Sequence, residues 1–478
     1  MGDVLNFIGG EMKAASGGWI DNTDPSTGQV YGRIADSDDK DLQLAVDAAQ
    51  SAFPKWRDTS GAQRAACLNK LADLIDARRE EFVRAESVDN GKPVSLARAI
   101  DIPRGAANLR AFAKMAAEFG GQTYDKPGVH SYTLRQPHGV VSTISPWNLP
   151  LLLFTWKLGP ALAAGNCVIS KPSELTPMTA HMLSSLANDA GFPKGVLNVL
   201  HGRGAKIGAA ITSHAAIPAI SFTGGTKTGT EIYSNAAKKL KKISLELGGK
   251  NPTIIFADAD FDRAIEGATL AAFANQGQIC LCGSRLFVQE SLYEKFKAAF
   301  LKRVSAIRIG DPLEDTTQHG AMVSKDHMDK VLGYIDLAEK EGGKVLTGGQ
   351  RHLMNGRCKD GYFIEPTVIE GLPHTCRTNQ EEIFGPVVTL MPFRDEDDVI
   401  AMANSTEYGL ASSVWTTDKE KARRMAAQLE SGIVWVNCWN LRDLDTPFGG
   451  YKKSGVGREG TWDAMHFFTQ QKSVTTPA

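Results

Sequence analysis

Residues 140–171, VVSTISPWNLPLLLFTWKLGPALAAGNCVISK, decide the fold. A short β-prone run at 140–144 is followed by a helical stretch at 150–164. A second β-prone run follows at 168–170. The unit then repeats, with strands at 196–200, 219–222 and 243–247 and helices at 177–190, 205–213 and 226–237. Strands alternating with helices of this length predict an α/β fold with a parallel sheet covered on both faces. Right-handed crossovers would make that sheet doubly wound.

Upstream, residues 1–35 read as short strands and turns, with Asp24-Pro25-Ser26-Thr27-Gly28 as one of the turns. From Ser37, a possible cap, Leu42, Ala45, Val46, Ala49 and Phe53 fall on one helical face. Leu68, Leu71 and Ile75 mark a second helix, and helical sequence continues to Glu118, where Gly120-Gly121 breaks it. Residues 129–138 alternate weakly and predict an excursion strand. Downstream, a second α/β unit starts near Gly248. It has strands at 253–256 and 285–288, helices at 261–274 and 292–306, and continues to 434–437. The tail ends in the β-prone Ser473-Val474-Thr475-Thr476, a strand that needs a partner edge.

The length of 478 residues implies more than one domain. A net charge of -1 gives no field for nucleic acid or an anionic membrane. The cluster Lys238-Lys239 with Lys241-Lys242 reads as a solvated edge. Seven scattered cysteines fit a reducing compartment and not a disulfide framework. Cys280-Leu281-Cys282 is too tightly spaced for the usual zinc ligands, and no metal is expected. No stretch is apolar enough to span a membrane, and the N-terminus lacks a signal-peptide pattern, so the cytoplasm is the expected location.

Two dense glycine-flanked stretches carry the chemistry. Phe273-Ala274-Asn275-Gln276-Gly277-Gln278-Ile279-Cys280 presents a candidate nucleophile, and Leu245-Glu246-Leu247-Gly248-Gly249 a candidate base. A thiol attacks carbonyls as thiolate, so a catalytic Cys needs a group that takes its proton or lowers its pKa. Thr223-Gly224-Gly225-Thr226-Lys227-Thr228-Gly229 follows a strand and opens a helix, which suits a phosphate, although glycines there are also ordinary turn residues. In Ser170-Lys171-Pro172-Ser173-Glu174 the carboxylate can accept both hydroxyls of a ribose. The same five residues can equally be a surface turn whose Ser173, or Thr176 beyond it, caps the next helix.

Together these stretches resemble the aldehyde dehydrogenase superfamily over essentially the whole chain. The similarity also rests on Ser145-Pro146-Trp147-Asn148, Glu381-Glu382-Ile383-Phe384-Gly385-Pro386, Pro447-Phe448-Gly449-Gly450 and Ser454-Gly455-Val456-Gly457-Arg458-Glu459. The resemblance implies NAD as cofactor, Cys280 as nucleophile and Glu246 as general base. Asn148 and the backbone N–H of Cys280 would form an oxyanion hole. Lys171 and Glu174 would hold the adenosine ribose, with Glu174 disfavouring a 2′-phosphate. Glu382 would hold the nicotinamide ribose, Phe384 would pack near the nicotinamide, and Trp147 would lie near the pyrophosphate. Ser145, Gly224, Gly225, Gly229 and Leu247 complete the implied cofactor site, and Glu459 belongs to a proton-relay region. Gly225 departs from the Ser that many members carry, removing one hydroxyl contact to the pyrophosphate. Cys282 reads as a packing residue rather than a redox partner.

The resemblance further implies an NAD-binding domain (1–119 and 139–247), a catalytic domain (248–459) and an oligomerisation arm (120–138 and 460–478), in a homodimer or homotetramer. Within the superfamily, Gln278-Ile279-Cys280-Leu281-Cys282, Asn437-Cys438-Trp439-Asn440-Leu441-Arg442 and Asp101-Ile102-Pro103-Arg104 are similar to the 2-aminomuconic and 2-hydroxymuconic semialdehyde dehydrogenases. Arg104 and Arg442 would then face a substrate tunnel with Trp156 and Phe448, and a substrate carboxylate is a natural guanidinium partner. Alternatively Asp443, Asp445 or Asp101 neutralises these arginines in a structural ion pair. The rival functions are oxidation of another semialdehyde or of a broad range of aldehydes, and a non-catalytic structural role. Glu246 argues against a CoA-dependent variant. A thiol hydrolase would lack a recognisable Cys–His motif and leave the nucleotide elements unexplained.

Overall fold

The structure is a computed structural model that describes residues 2–477; Met1 and Ala478, the outer ends of the expected first domain and arm, lie outside it. Five strands form the parallel centre of an eight-stranded sheet, in the order Leu197–Val199, Cys167–Lys171, Val140–Ile144, Ala219–Thr223, Lys242–Glu246. All but the first two residues of Lys242–Glu246 are buried, which is why they read as short unbroken β-prone runs rather than as alternation. The parallel series starts in the middle of this sheet with Val140–Ile144, winds outward through Cys167–Lys171, then returns to the other side with Ala219–Thr223. The sheet is therefore doubly wound, with its switch point between Val140–Ile144 and Ala219–Thr223. Loops leaving the carboxyl ends of these two strands diverge and open a crevice there. The edges are antiparallel: Asn6–Ile8 pairs with Leu197–Val199, and Gly455–Val456 pairs with Lys242–Glu246.

The second α/β unit is a seven-stranded sheet. Its parallel strands run Thr367–Glu370, Val387–Phe393, Arg285–Gln289, Pro252–Ile255, Ala411–Trp415, Ile433–Val436, with Lys344–Thr347 antiparallel at one edge. A third sheet joins Thr123–Lys126, Val129–Pro137 and Thr469–Pro477. The terminal strand thus finds its partner edge within its own chain, paired residue by residue from Thr469 against Pro137 to Pro477 against Val129. Among the described residues no helix is long and apolar enough to cross a membrane.

Several sequence expectations change in detail. Asp38, not Ser37, caps the first long helix: its carboxylate accepts from the N–H groups of Lys40 and Asp41 in a capping box. The Ser37 hydroxyl instead donates to Asn6. Neither Ser173 nor Thr176 caps the helix Met178–Ser185, and that helix is shorter than 177–190 because its end dissolves into turns. The helix expected at 205–213 begins as a π-turn, Gly204–Gly208. A second π-turn, Ala97–Asp101, leads into Ile102–Glu118. The lysine cluster is only partly a solvated edge, since Lys241 and Lys242 donate to the carbonyls of His214 and Thr469.

Candidate active site

The crevice at the switch point is a cleft of about 690 Å³. Pro146, Trp147 and Asn148 enter it from the end of Val140–Ile144; Thr223, Gly224 and Gly225 enter from the end of Ala219–Thr223. The helix Thr226–Ala237 starts at Gly225 with no side-chain cap, so its first N–H groups remain available to an anion. A Cβ at Gly225 would meet nothing within 4 Å. The Thr223 hydroxyl is buried without a partner. An unclaimed hydroxyl, an uncapped helix start and open space beside it suit a pyrophosphate.

Leu247, Gly248, Cys280, His327, Lys330, Glu382 and Phe384 form the rest of the wall. The rings of Trp147 and Phe384 meet edge to face at 5.2 Å. Phe384 sits at φ 61°, a left-handed conformation that a bulky residue adopts only when its surroundings enforce it. Here His327 Nε2 is 2.7 Å from its carbonyl. Glu382 accepts from the Gly249 N–H at 2.9 Å, and burial raises its carboxyl pKa. Its carboxylate lies so close to Gly248 that any side chain there would collide with it. Lys171 and Glu174 line neither the cleft nor the second cavity; they are paired at 3.0 Å, and Glu174 also accepts from the Gly204 N–H at 3.0 Å. Despite its burial, these contacts hold the Glu174 carboxyl below its ordinary pKa. Ser145 is buried behind the cleft, its hydroxyl unpartnered, and Gly229 packs against Leu247.

Cys280 lines this cleft and also a second cavity on its other side. The loop reaches it through three consecutive left-handed residues, Asn275, Gln276 and Gly277, at φ 50°, 57° and 69°. Gly277 lies against the Gly385 carbonyl, where a Cβ would clash. These conformations end the helix at Phe273, earlier than the sequence suggests. Asn251 secures the far side of the loop by donating to the Cys280 and Cys282 carbonyls at 2.7 and 2.9 Å. Burial pushes the Cys280 thiol pKa up, and Glu382 and Glu246 push it further. Both effects favour the thiol over the thiolate, so attack on a carbonyl calls for a proton acceptor. Cys282 is buried, its sulfur facing the Ala274 carbonyl.

Glu246 ends the strand Lys242–Glu246 and lines neither cavity. Both its carboxylate oxygens are buried without partners, and a Cβ on Gly449 would meet Oε1 at 2.9 Å. Burial raises its pKa well above the ordinary value, and the nearby Glu459 raises it further. Glu459 is itself held by Lys157 at 2.5 Å and Ser221 at 2.9 Å. The Asn148 carbonyl accepts from Lys92 at 3.0 Å and Asn275 at 3.1 Å, which fixes the main chain from which its amide enters the cleft.

The second cavity spans about 1290 Å³ with its open mouth and is largely apolar, walled by Leu149, Leu152, Leu153, Trp156, Ile279 and Phe448. Two guanidinium groups interrupt it, from Arg104 and Arg442. Arg442 stacks 4.4 Å from the Phe448 ring centre and 5.9 Å from that of Trp156. Burial and the neighbouring Arg104 bring its pKa down to about 10. Burial also lowers that of Arg104, whose Nε has no partner. None of the expected ion-pair partners meets them: Asp101 pairs with Lys92, Asp443 accepts from the Asp445 N–H, and Asp445 forms no ion pair with either arginine. Among the described residues neither guanidinium has a carboxylate within ion-pair distance.

The sequence reading missed His327, Lys330 and Lys92. The first two lie on a helix, Lys325–Lys340, with no motif of its own, and only tertiary packing brings them to the cleft. Lys92 follows an unremarkable Asn90-Gly91, and its burial was not readable from composition.

The aldehyde dehydrogenase family model matches residues 12–474. The chain belongs to that family. It is 48% identical over 474 residues to the 2-aminomuconic semialdehyde dehydrogenase of Danio rerio, covering 98% of this chain and 97% of that one. It is 44% identical over 482 residues to the 2-hydroxymuconic semialdehyde dehydrogenase of Pseudomonas sp. (strain CF600), covering 99% of both. The fold superposes on PnpE of Pseudomonas sp. WBC-3, solved in complex with nicotinamide adenine dinucleotide, with TM-score 0.97, 42% identity and coverage of 99% and 97%. The doubly wound fold inferred from residues 140–247 is thus the aldehyde dehydrogenase fold.

Proposed function

We propose that this aldehyde dehydrogenase uses NAD to oxidise a carboxylate-bearing, muconic-type semialdehyde to the corresponding acid. The observation that carries the substrate class is the pair of half-buried guanidiniums, Arg104 and Arg442, without a carboxylate in ion-pair distance, in a largely apolar cavity that Cys280 also lines. Two cations that repel each other away from water favour an anion between them. The names of the relatives point the same way. The cleft on the other side of Cys280 suits NAD, whose pyrophosphate would lie at the start of Thr226–Ala237 and whose ribose hydroxyls would meet Glu174 and Glu382. NAD bound there supplies the hydride acceptor.

In this reading the aldehyde enters the apolar cavity with its carboxylate toward the arginines. Glu246 takes the Cys280 proton as sulfur adds to the carbonyl carbon, giving a thiohemiacetal. The oxyanion meets the Asn148 amide and the Cys280 N–H. Loss of hydride from carbon leaves a thioester on Cys280. Once Glu246 has passed the thiol proton to solvent, it takes another from water as the water oxygen adds to the thioester carbonyl, and collapse expels the Cys280 sulfur and releases the acid. The unpartnered carboxylate of Glu246 supports this role, since a base tied into a salt bridge would be a poorer proton acceptor.

Residues 1–119 with 139–247 form the NAD-binding domain and residues 248–459 the catalytic domain in this proposal. The exposed three-stranded sheet (120–138 and 460–478) is an arm that joins copies in a homodimer or homotetramer. The test of the substrate class is initial-rate NADH formation from 2-hydroxymuconic semialdehyde and from a neutral aldehyde of similar length, in the parent and in Arg104→Ala. A large preference for the anion that Arg104→Ala abolishes is expected. Equal rates on both aldehydes would leave an aldehyde dehydrogenase of broad specificity.

A further inference from the structure

Lys92 is fully buried, lines neither cavity, and is paired with Glu86 and Asp101. Its ammonium reaches three oxygens: Asp101 Oδ2 at 2.5 Å, the Asn148 carbonyl at 3.0 Å and Glu86 Oε1 at 3.5 Å. Each oxygen belongs to a different part of the machinery. Asn148 carries the amide assigned to the oxyanion hole. Glu86 accepts from the Leu151 N–H in the first turn of Pro150–Ala163, the helix that supplies Leu152, Leu153 and Trp156 to the substrate cavity. Asp101 ends the π-turn Ala97–Asp101, one turn before Arg104, and both residues border that same cavity.

The position of Asp101 is the telling one. It is the nearest acidic residue in sequence to Arg104, and the short step between them would let a carboxylate and a guanidinium meet. They do not pair. Asp101 Oδ2 is claimed by Lys92, Asp101 Oδ1 has no partner, and Arg104 Nε has none either. A buried carboxylate that turned to Arg104 would fill the anion site with a group of the protein's own. Deepening the substrate reading above, on which it rests, we propose that Lys92 is a positioning residue with two tasks. By holding Asp101 it keeps Arg104 free for the substrate carboxylate, and by donating to the Asn148 carbonyl it fixes the oxyanion-hole amide. The π-turn brings Ala99, Ile100 and Asp101 to the cavity wall, with the Asp101 carboxylate held by Lys92.

The two tasks separate in kinetics. In Lys92→Met, kcat is expected to fall about tenfold or more on both a neutral aldehyde and 2-hydroxymuconic semialdehyde, because Asn148 is loosened. KM is expected to rise about tenfold for the anionic substrate alone, because Asp101 is released toward Arg104. In Lys92→Met/Asp101→Asn the anionic KM returns to within about threefold of the parent, while kcat stays low. Fluorescence titration with NAD and a thermal melt establish that each variant is folded. Asp101→Asn alone serves if Lys92→Met does not fold. With Lys92 holding Asp101, this change leaves the ratio of kcat/KM between the two aldehydes within about threefold. If Asp101 already neutralises Arg104, the ratio rises about tenfold or more, and the proposal is overturned. A Lys92→Met enzyme with parental kcat and KM also overturns it. A parent with no preference for the anion refutes the substrate reading instead, and the neutral-aldehyde kcat still tests the hold on Asn148.

Discussion

Replacing Arg442 by Met removes a guanidinium while retaining most of its apolar stem. In the free enzyme that guanidinium is half-buried, has no carboxylate within ion-pair distance, and is disfavoured by partial desolvation and by Arg104. Its compensation is the Phe448 face at 4.4 Å, an interaction worth about 0.5–2 kcal/mol. Loss of that contact and relief of an unpaired, half-buried charge oppose each other. Stability should therefore change by no more than about 1 kcal/mol, where breaking a true buried ion pair costs about 3–5 kcal/mol. Substrate binding behaves differently. A hydrogen bond to a charged group contributes about 1.5–3 kcal/mol, which at about 1.4 kcal/mol per decade is roughly a tenfold to hundredfold loss of kcat/KM. That loss should appear with 2-hydroxymuconic semialdehyde and stay within about threefold for a neutral aldehyde. The assays are initial-rate NADH formation with both aldehydes and a thermal melt of each protein. An equal loss on both substrates, or a melt lowered by several kcal/mol with selectivity intact, would show that Arg442 is structural.

Glu246→Gln should lower both the first-turnover and the steady-state rate of NADH formation by about a hundredfold or more, because the Cys280 thiol and the water that attacks the thioester both lose their base; a parental steady state would exclude Glu246 as that base. Glu246 is raised above its unfolded pKa by burial and Glu459, so both states hold the proton at low pH and the unfolded chain releases it first as pH rises. This carboxyl therefore costs stability increasingly as pH climbs from its unfolded pKa through its folded one, and denaturant titrations should show a smaller loss between pH 5 and pH 9, about those limits, in Glu246→Gln than in the parent. Glu174→Gln should raise the dissociation constant for NAD about tenfold and narrow the preference over NADP, read by fluorescence titration with both cofactors. Gly277→Ala, at φ 69° against the Gly385 carbonyl, should displace the Cys280 loop and lower the rate at which iodoacetamide inactivates the enzyme; an unchanged rate would mean the loop absorbs the methyl group.

The fold was legible because the central strands are short apolar runs separated by helices, a pattern that a sheet buried on both faces imposes on sequence. Candidate site residues were legible where they lie at the ends of such strands, as do Asn148, Glu174, Gly224 and Glu246. Residues placed by long-range packing were not. Lys330 and His327 come to the cleft from a helix with no motif, and Lys92 is an ordinary lysine until its burial between Asp101 and Glu86 is seen. The π-turns were also invisible, since they differ from α-helix by one residue of spacing and leave no periodic signature. The Asp38 cap was missed by one position because Ser37, Asp38 and Asp39 are all plausible capping residues until the structure shows which carboxylate meets the free N–H groups.

Cys280 is where the two cavities adjoin, each approached from its own side. For inhibitor design this makes the sulfur a partition wall. An electrophile built on the scaffold of the anionic aldehyde would reach Cys280 without contesting the nucleotide's seat, so raising NAD would not protect against it. A single molecule meant to fill both chambers would have to thread past that sulfur, and the linker would need to be slim there. In the proposed reaction the same wall would give a spent acid and a reduced nucleotide separate doors.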